Sequence, residues 1–208
     1  KNFNFQIIIV DDGSSDGTSD ILKNEISNRV DKIIFHNRNK GKGAAIKSAI
    51  SSIEGDIIII QDADLEYDPN DYFKLLEPFR NNDINVVYGS RVLGRNKNQK
   101  FNLIQKYRIF GNFLLTKLSN IINSQNLTDA HTCYKIFRKN MFLNLKICED
   151  DFSFCPEVTT KLSNINEKIT EVPISYQGRE ILEGKKIRFS DALKAVKVIL
   201  KYKFFIKW

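Results

Sequence analysis

The sequence predicts an α/β fold with a mostly parallel central sheet, helices on both faces and amphipathic helices toward its C-terminal end. Short β-branched runs at Gln6 to Val10, Lys32 to Phe35, Asp56 to Ile60 and Asn85 to Tyr88 are too brief for helices and read as buried strands. Helix-like segments separate them: Thr18 to Ser27 after a Gly/Ser/Asp turn, the Ala-rich Gly43 to Ile53, and Asn70 to Phe79 after Asp68-Pro69. Strand and helix therefore alternate, as they do in a sheet covered on both sides.

Beyond Tyr88 the pattern changes. A polar loop from Ser90 to Gln99 precedes a helix from about Leu103 to Ile122, in which Tyr107, Phe110, Leu114 and Leu118 share one face. That face suits either a core or a membrane surface. Cys133 to Phe137 and Lys168 to Ile174 read as strands, Pro156 as the start of a helix, and Ser190 to Lys203 as a basic amphipathic helix. The loop from Gln177 to Arg188 shows no regular pattern. At 208 residues the expectation is a single domain, with residues 1–90 and 91–208 as halves of different function.

Composition narrows the class. A hydrophobic fraction of 42% and a charged fraction of 27% exclude a disordered chain. The 3 cysteines show no C-x-x-C spacing, which excludes a disulfide framework or zinc knuckle and suits a reducing compartment. No apolar stretch approaches the roughly 18 to 20 residues that span a bilayer, so the expected location is the cytoplasm, with at most a peripheral place on the cytoplasmic membrane face.

The net charge of +7 conceals an asymmetry. Residues 1–90 carry 10 basic against 15 acidic groups, net −5, and residues 91–208 carry 22 against 10, net +12. Arg91 to Thr128 contains no acidic residue. Such a tract is either a solvated surface or one that meets phosphates and anionic headgroups. The acidic first half would repel a polyanion, so nucleic acid is not an expected partner.

Polar clusters follow the first and third strands, where parallel sheets bind their ligands. Asp62-Ala63-Asp64, with Glu66 beyond, offers carboxylates to a hard divalent cation bridging diphosphate oxygens, or else forms a solvated loop capping the next helix. Val10 to Thr18 reads as a nucleotide pocket or as a plain strand-to-helix turn; Lys23 stands where a calcium loop needs a glutamate, which excludes that motif. Asn39 to Ala45 is a Gly-rich helix entry that an anionic or flat ligand can approach, though a simple helix start accounts for it equally. Arg91, Arg108, Arg179, Lys185 and Lys186 are candidate phosphate ligands, each with surface charge as the alternative. His36 and His131 belong to no nucleophile triad and read as structural or surface residues.

Taken together, Val10 to Thr18, Asn37 to Ala45, Asp62-Ala63-Asp64 and Gly89-Ser90-Arg91 resemble the family-two glycosyltransferases, in particular the dolichol-phosphate mannose and glucose synthases. The resemblance continues through Asp129 to Arg138, Phe152 to Leu162 and Glu171 to Lys186. It implies a Rossmann-like GT-A fold. It also implies an inverting, metal-dependent transfer of one sugar from a UDP- or GDP-linked donor to a polyprenyl phosphate; the alternatives are a soluble or protein-linked acceptor, or an inactive sugar-nucleotide-binding module.

Residue by residue, the resemblance implies a donor pocket of Asp11, Asp12, Gly13, Lys40, Gly41, Asp62 and Ala63. Asp62, Asp64 and Glu66 would serve Mg2+ or Mn2+, and Arg91 and Arg108 would grip donor diphosphate and acceptor phosphate. Arg179, Lys185 and Lys186 would close over the diphosphate, which makes Asp64, Arg91, Arg108 and Arg179 the catalytic set. Asp129, Tyr134, Lys135 and Glu157 would form the acceptor-side wall. The Gln-x-x-Arg-Trp motif of the processive synthases is absent, which favours single-sugar transfer. In one departure, no Pro-x-Tyr-Asn-Glu strand precedes Asp11, and the expectation is a fragment of a longer protein.

Overall fold

The computed structural model describes residues 3–96, 101–178 and 189–206. β1 (Ile8–Asp11) and β2 (Lys32–Phe35) form a parallel pair, with Ile8 opposite Lys32 and Asp11 opposite Phe35. β3 (Ile57–Ile59), β4 (Val86–Ser90), β5 (Lys135–Arg138) and β6 (Ile169–Pro173) form a second sheet in the order β3-β5-β4-β6. β5 runs antiparallel to β3 and β4, while β4 and β6 are parallel, so three of the four strands share one direction.

The core sits around the second sheet. Val86, Val87, Tyr88, Ile136 and Phe137 have no solvent exposure, which is why these short runs are uniformly apolar and do not alternate. α3 (Tyr72–Leu76) packs Leu75 against them and ends where Pro78, having no N–H, cannot continue an α-helix. Asp68 accepts from the Asn70 N–H at 2.9 Å and caps the turn that leads into α3.

The helix expected over Thr18 to Ser27 is less regular than its sequence suggests. α1 (Thr18–Ile21) is a single turn that widens over Leu22–Ile26 and tightens over Ser27–Arg29. Leu22 is the only residue of that stretch to be buried, and helices in proteins draw most of their stability from such packing. α2 (Lys42–Ala49) lies on β1.

β1 and β3 belong to different sheets and do not pair. A cleft lined by Gln6 to Val10 on one side and Ile57 to Ile60 on the other separates them. Ile7 accordingly stays 46% exposed, where a strand inside a continuous covered sheet would be buried. At the carboxyl ends of β1 and β3 the same cleft carries Asp11, Asp12, Asp62 and Asp64, the position at which open α/β sheets hold ligands.

α4 (Leu103–Asn123) opens with a capping box in which Asn102 and Gln105 satisfy each other's backbone N–H groups at 2.8 and 3.0 Å. It turns its small and polar side, Thr116, Ser119 and Asn123, inward; Asn123 Nδ2 donates to Thr160 Oγ1 at 3.2 Å on α6 (Phe154–Asn164). The apolar stripe faces out: Tyr107, Phe110 and Leu114 are 77, 58 and 50% exposed. Between the two expected strands lies a helix that the sequence reading missed, α5 (Lys139–Asn144). α7 (Phe189–Leu200) packs on α4 and α6, and the wider turn Lys201–Phe205 that follows leaves Phe204 and Phe205 on the surface. Among the described residues no helix is long and apolar enough to cross a membrane.

Candidate active site

β1 ends in two carboxylates with different tasks. Asp11 is buried, and it accepts hydrogen bonds from the Ser14 N–H and the Ser19 hydroxyl. Burial pushes its pKa up, but those bonds outweigh burial and hold it below the usual carboxylate range. Asp12 organises the loop after β2: His36 Nδ1 lies 2.6 Å away, and the N–H groups of Lys40 and Gly41 donate to it at 2.9 and 2.7 Å. The other nitrogen of His36 bonds Ser48 Oγ at 2.8 Å, so this imidazole ties β2 to α2.

The glycines of that loop serve the chain's own packing. Gly41 has φ 102°, and a Cβ there would meet Asp150 O at 2.5 Å; a Cβ on Gly43 would meet Glu149 O at 2.1 Å. The Ala44 N–H donates to Asp150 O at 2.9 Å. The close approach expected from a ligand is made at these two positions by the segment from Cys148 to Asp151.

Lys42 is the residue of this motif that reaches the site. Its Nζ is 2.7 Å from Asp62 Oδ1 and 3.1 Å from Cys133 Sγ. Burial opposes its charge, and Cys133 and Asp62 outweigh burial, so the ammonium is held above its usual range. Burial also pushes the Cys133 thiol up to about 12. Sequence reasoning passed over Lys42 because its partners are 20 and 91 residues away.

Asp64 lines the cleft beside Asp62 and accepts from the Glu66 N–H at 3.1 Å. The intervening Leu65 is 90% exposed and has φ 60°, a left-handed conformation unfavourable to a branched side chain. The carboxylate of Glu66 is buried and accepts from Tyr176 OH at 2.7 Å. Among the described residues no group of three His, Cys, Asp or Glu side chains forms a metal cage. The donor set nevertheless fits a hard cation that rests on one or two carboxylates and completes its shell with phosphate oxygens, as Mg2+ commonly does.

The same cleft is lined by a clamp. Arg91, at the end of β4, places Nε 2.6 Å from Asp129 Oδ2 and a terminal NH2 2.8 Å from Oδ1, a two-pronged pairing. Asn112 of α4 donates to the same carboxylate at 3.2 Å, and the guanidinium lies 5.1 Å from the Tyr176 ring centre. Glu171 of β6 positions the segment by accepting from the N–H groups of Thr128 and Asp129 at 2.8 and 3.0 Å. Arg108, one turn before Asn112 on α4, also lines the cleft.

Carboxylates at two strand ends line one cleft with Arg91 and Arg108, and a family model described as glycosyl transferase family 2 matches residues 1–145. The chain belongs to glycosyltransferase family 2. A low-salt glycan biosynthesis hexosyltransferase of Haloferax volcanii is 28% identical over 93% of this chain and 45% of its own length. A dolichyl-phosphate β-glucosyltransferase of Trichomonas vaginalis is 27% identical over 100% and 64%; a dolichol-phosphate mannosyltransferase of Pyrococcus furiosus is 24% identical over 90% and 53%. The chain thus spans about half to two thirds of the length of these relatives. Glucosyl-3-phosphoglycerate synthase from Mycobacterium tuberculosis, solved with Mn2+ and UDP-glucose, superposes with a TM-score of 0.69 at 13% identity, over 96% of this chain and 68% of that one. Mannosyl-3-phosphoglycerate synthase from Rubrobacter xylanophilus gives 0.65 at 16% identity, over 95% and 62%. These structures establish the GT-A type of α/β fold.

Within this family-two frame the remaining expected residues separate. Ala63 lines the cleft, while Gly13 packs against the Arg38 and Asn39 backbone and Lys40 contributes its N–H to Asp12. Tyr134, Lys135 and Glu157, expected on the acceptor-side wall, lie behind it: all three are fully buried. Tyr134 OH donates to Gln61 Oε1 at 2.6 Å. Lys135 Nζ donates to Ala130 O at 2.8 Å and lies 3.5 Å from the Tyr88 ring centre, with burial pulling its pKa down to about 8. Glu157 spends both oxygens on Cys148 N, Glu149 N and Lys161 Nζ. Inward-facing side chains of a buried strand and helix support the wall from behind. Arg179, Lys185 and Lys186 lie outside the described residues.

Proposed function

We propose that this chain is the catalytic core of an inverting transferase that moves one sugar from a nucleoside diphosphate to a polyprenyl phosphate at a membrane surface. The observation that carries this reading is that Asp11, Asp62, Asp64, Arg91 and Arg108 all line one cleft. Asp11, held ionised, suits hydrogen-bond donors of a base. Asp64, with Asp62, would hold a divalent cation whose contribution is to neutralise charge on the departing diphosphate.

The arginines orient an acceptor that is already anionic, so no strong general base is needed. Arg91 cannot swing freely, because Asp129 grips it from behind; its position is set before substrate arrives. In-line attack on the face of the sugar opposite the diphosphate then depends on alignment, and inverts the anomeric centre.

A lipid acceptor is favoured over a soluble one by the outward apolar stripe of α4 and by the exposed Phe204 and Phe205 beyond α7, near Lys197, Lys201 and Lys203. Flotation with vesicles containing anionic lipid is expected to recover the chain at low salt and to lose it at high salt. Phe110→Glu together with Phe205→Glu is expected to abolish the binding. If wild type floats no better than that double variant, the membrane part of the proposal is wrong.

The donor part is tested by thermal unfolding in Mn2+ or Mg2+ with a panel of UDP- and GDP-sugars. One nucleotide class is expected to raise Tm by several degrees, since a ligand at 100 times its Kd adds about 2.7 kcal/mol. Asp64→Ala is expected to remove the metal-dependent part of that rise. No shift with any donor would count against the reading.

A further inference from the structure

The five residues from Asp129 to Cys133 run between two parts of the site. Asp129 holds Arg91, and Cys133 touches Lys42, which grips Asp62. His131 stands midway, its Cα at most about 7 Å from the Cα of either end, and it lines the cleft. Its Nε2 is closed to solvent and has no hydrogen-bond partner among the described residues. Oγ1 of the neighbouring, fully buried Thr132 is in the same condition. Unpartnered buried polar atoms are rare, because the water they lose on folding is normally replaced by a protein group. In a cleft wall the replacement can come from a ligand, and the soft χ2 torsion of a histidine lets its imidazole turn to meet one.

We propose that His131 hydrogen-bonds a hydroxyl of the transferred sugar and helps to select which sugar is accepted, an inference that rests on the transferase reading above. Between the Asp62 side, where the diphosphate would lie, and Arg91, where the acceptor phosphate would lie, the group left to meet His131 is the sugar. The chemistry of the ring agrees. Burial first, then the neighbouring Lys135 ammonium, pull its pKa down to about 4, so at neutral pH it is an uncharged donor and acceptor. That form matches a hydroxyl, whereas a phosphate would be better served by a cation.

Calorimetry on the 208-residue chain with Mn2+ tests this, using a nucleoside diphosphate and its sugar conjugate from the class found in the thermal panel. His131→Ala is expected to weaken the conjugate about tenfold, the loss of one hydrogen bond. Binding of the free nucleoside diphosphate should change less than about twofold, and the KM for acceptor should stay as in wild type. His131→Gln, which keeps a neutral donor and acceptor, is expected to recover most of the loss. Equal weakening of both ligands, or a change confined to acceptor KM, would overturn the assignment to the sugar. If wild type itself binds neither ligand, the transferase reading fails, and this inference with it.

Discussion

Replacing Asp129 by alanine is expected to lower stability by about 3–5 kcal/mol, because it leaves the Arg91 guanidinium largely buried with no counter-charge. For a chain of this size that corresponds to a fall in Tm on the order of 6–20 °C. Asp129 has no side-chain exposure and Arg91 has 20%, so solvent can compensate only in part. Transfer should fall by about a hundredfold even where the protein is still folded, since Arg91 loses its fixed direction. Asp129→Asn keeps the shape and one acceptor, and should be milder on both counts. The pair also sets an acid limit. Burial pushes the Asp129 carboxyl up, but Arg91 outweighs it and holds the native value below the usual range. Its stabilisation is therefore complete above about pH 4, the unfolded value, and is lost as pH falls through the lower native one. Unfolding followed by circular dichroism from pH 3 to 8, beside initial rates, checks both effects; a variant that melts within about 2 °C of wild type at pH 7 would rule out the clamp as described.

How much of this was legible in the sequence depends on whether the cause was local. Lys32 to Phe35 reads as a buried strand and is the strand β2, though none of its four residues is buried, and the helix that the sequence places from Leu103 to Ile122 is α4 with one residue added, since β-branched runs and an apolar helical period act within a few residues. The acidic strand ends were equally visible, because a strand that stops in Asp-Asp or Asp-Ala-Asp puts charge at the mouth of the sheet. Long-range partners were not. Nothing in the sequence near Lys42 points to Asp62, and nothing near Arg91 points to Asp129 or to Glu171 behind it. The glycines at 41 and 43 mark a close approach, but sequence alone does not distinguish a ligand from the chain's own backbone. Tyr134, Lys135 and Glu157 show the same gap: polar residues in a motif read as contacts, while burial turned them to structural hydrogen bonds.

Glu157→Ala is the second substitution expected to cost about 3–5 kcal/mol, since Glu157 and Lys161 are both fully shielded and removing one partner strands the other. The loss extends beyond that pair. Glu157 also receives the N–H groups of Cys148 and Glu149 at 2.7 and 2.9 Å, so it fixes the segment whose next residue, Asp150, accepts from Ala44 at the start of α2 and pairs with Lys47 at 2.6 Å. α2 in turn carries Lys42 to Asp62. A change at a side chain that does not itself line the cleft is therefore expected to weaken nucleotide binding by a few fold, through looser placement of Lys42, while leaving the clamp at Arg91 intact. Replacing the pair together, Glu157→Met with Lys161→Met, removes the stranded charge and should return part of the stability, since the Leu145 and Lys146 carbonyls then lose the Lys161 ammonium that donates to both at 2.9 Å. It should not return the nucleotide affinity, because the N–H groups of Cys148 and Glu149 still lack their acceptor. Unfolding and nucleotide calorimetry on the single and double variants separate the two effects; recovery of both together would mean that the segment over α2 is held by packing alone.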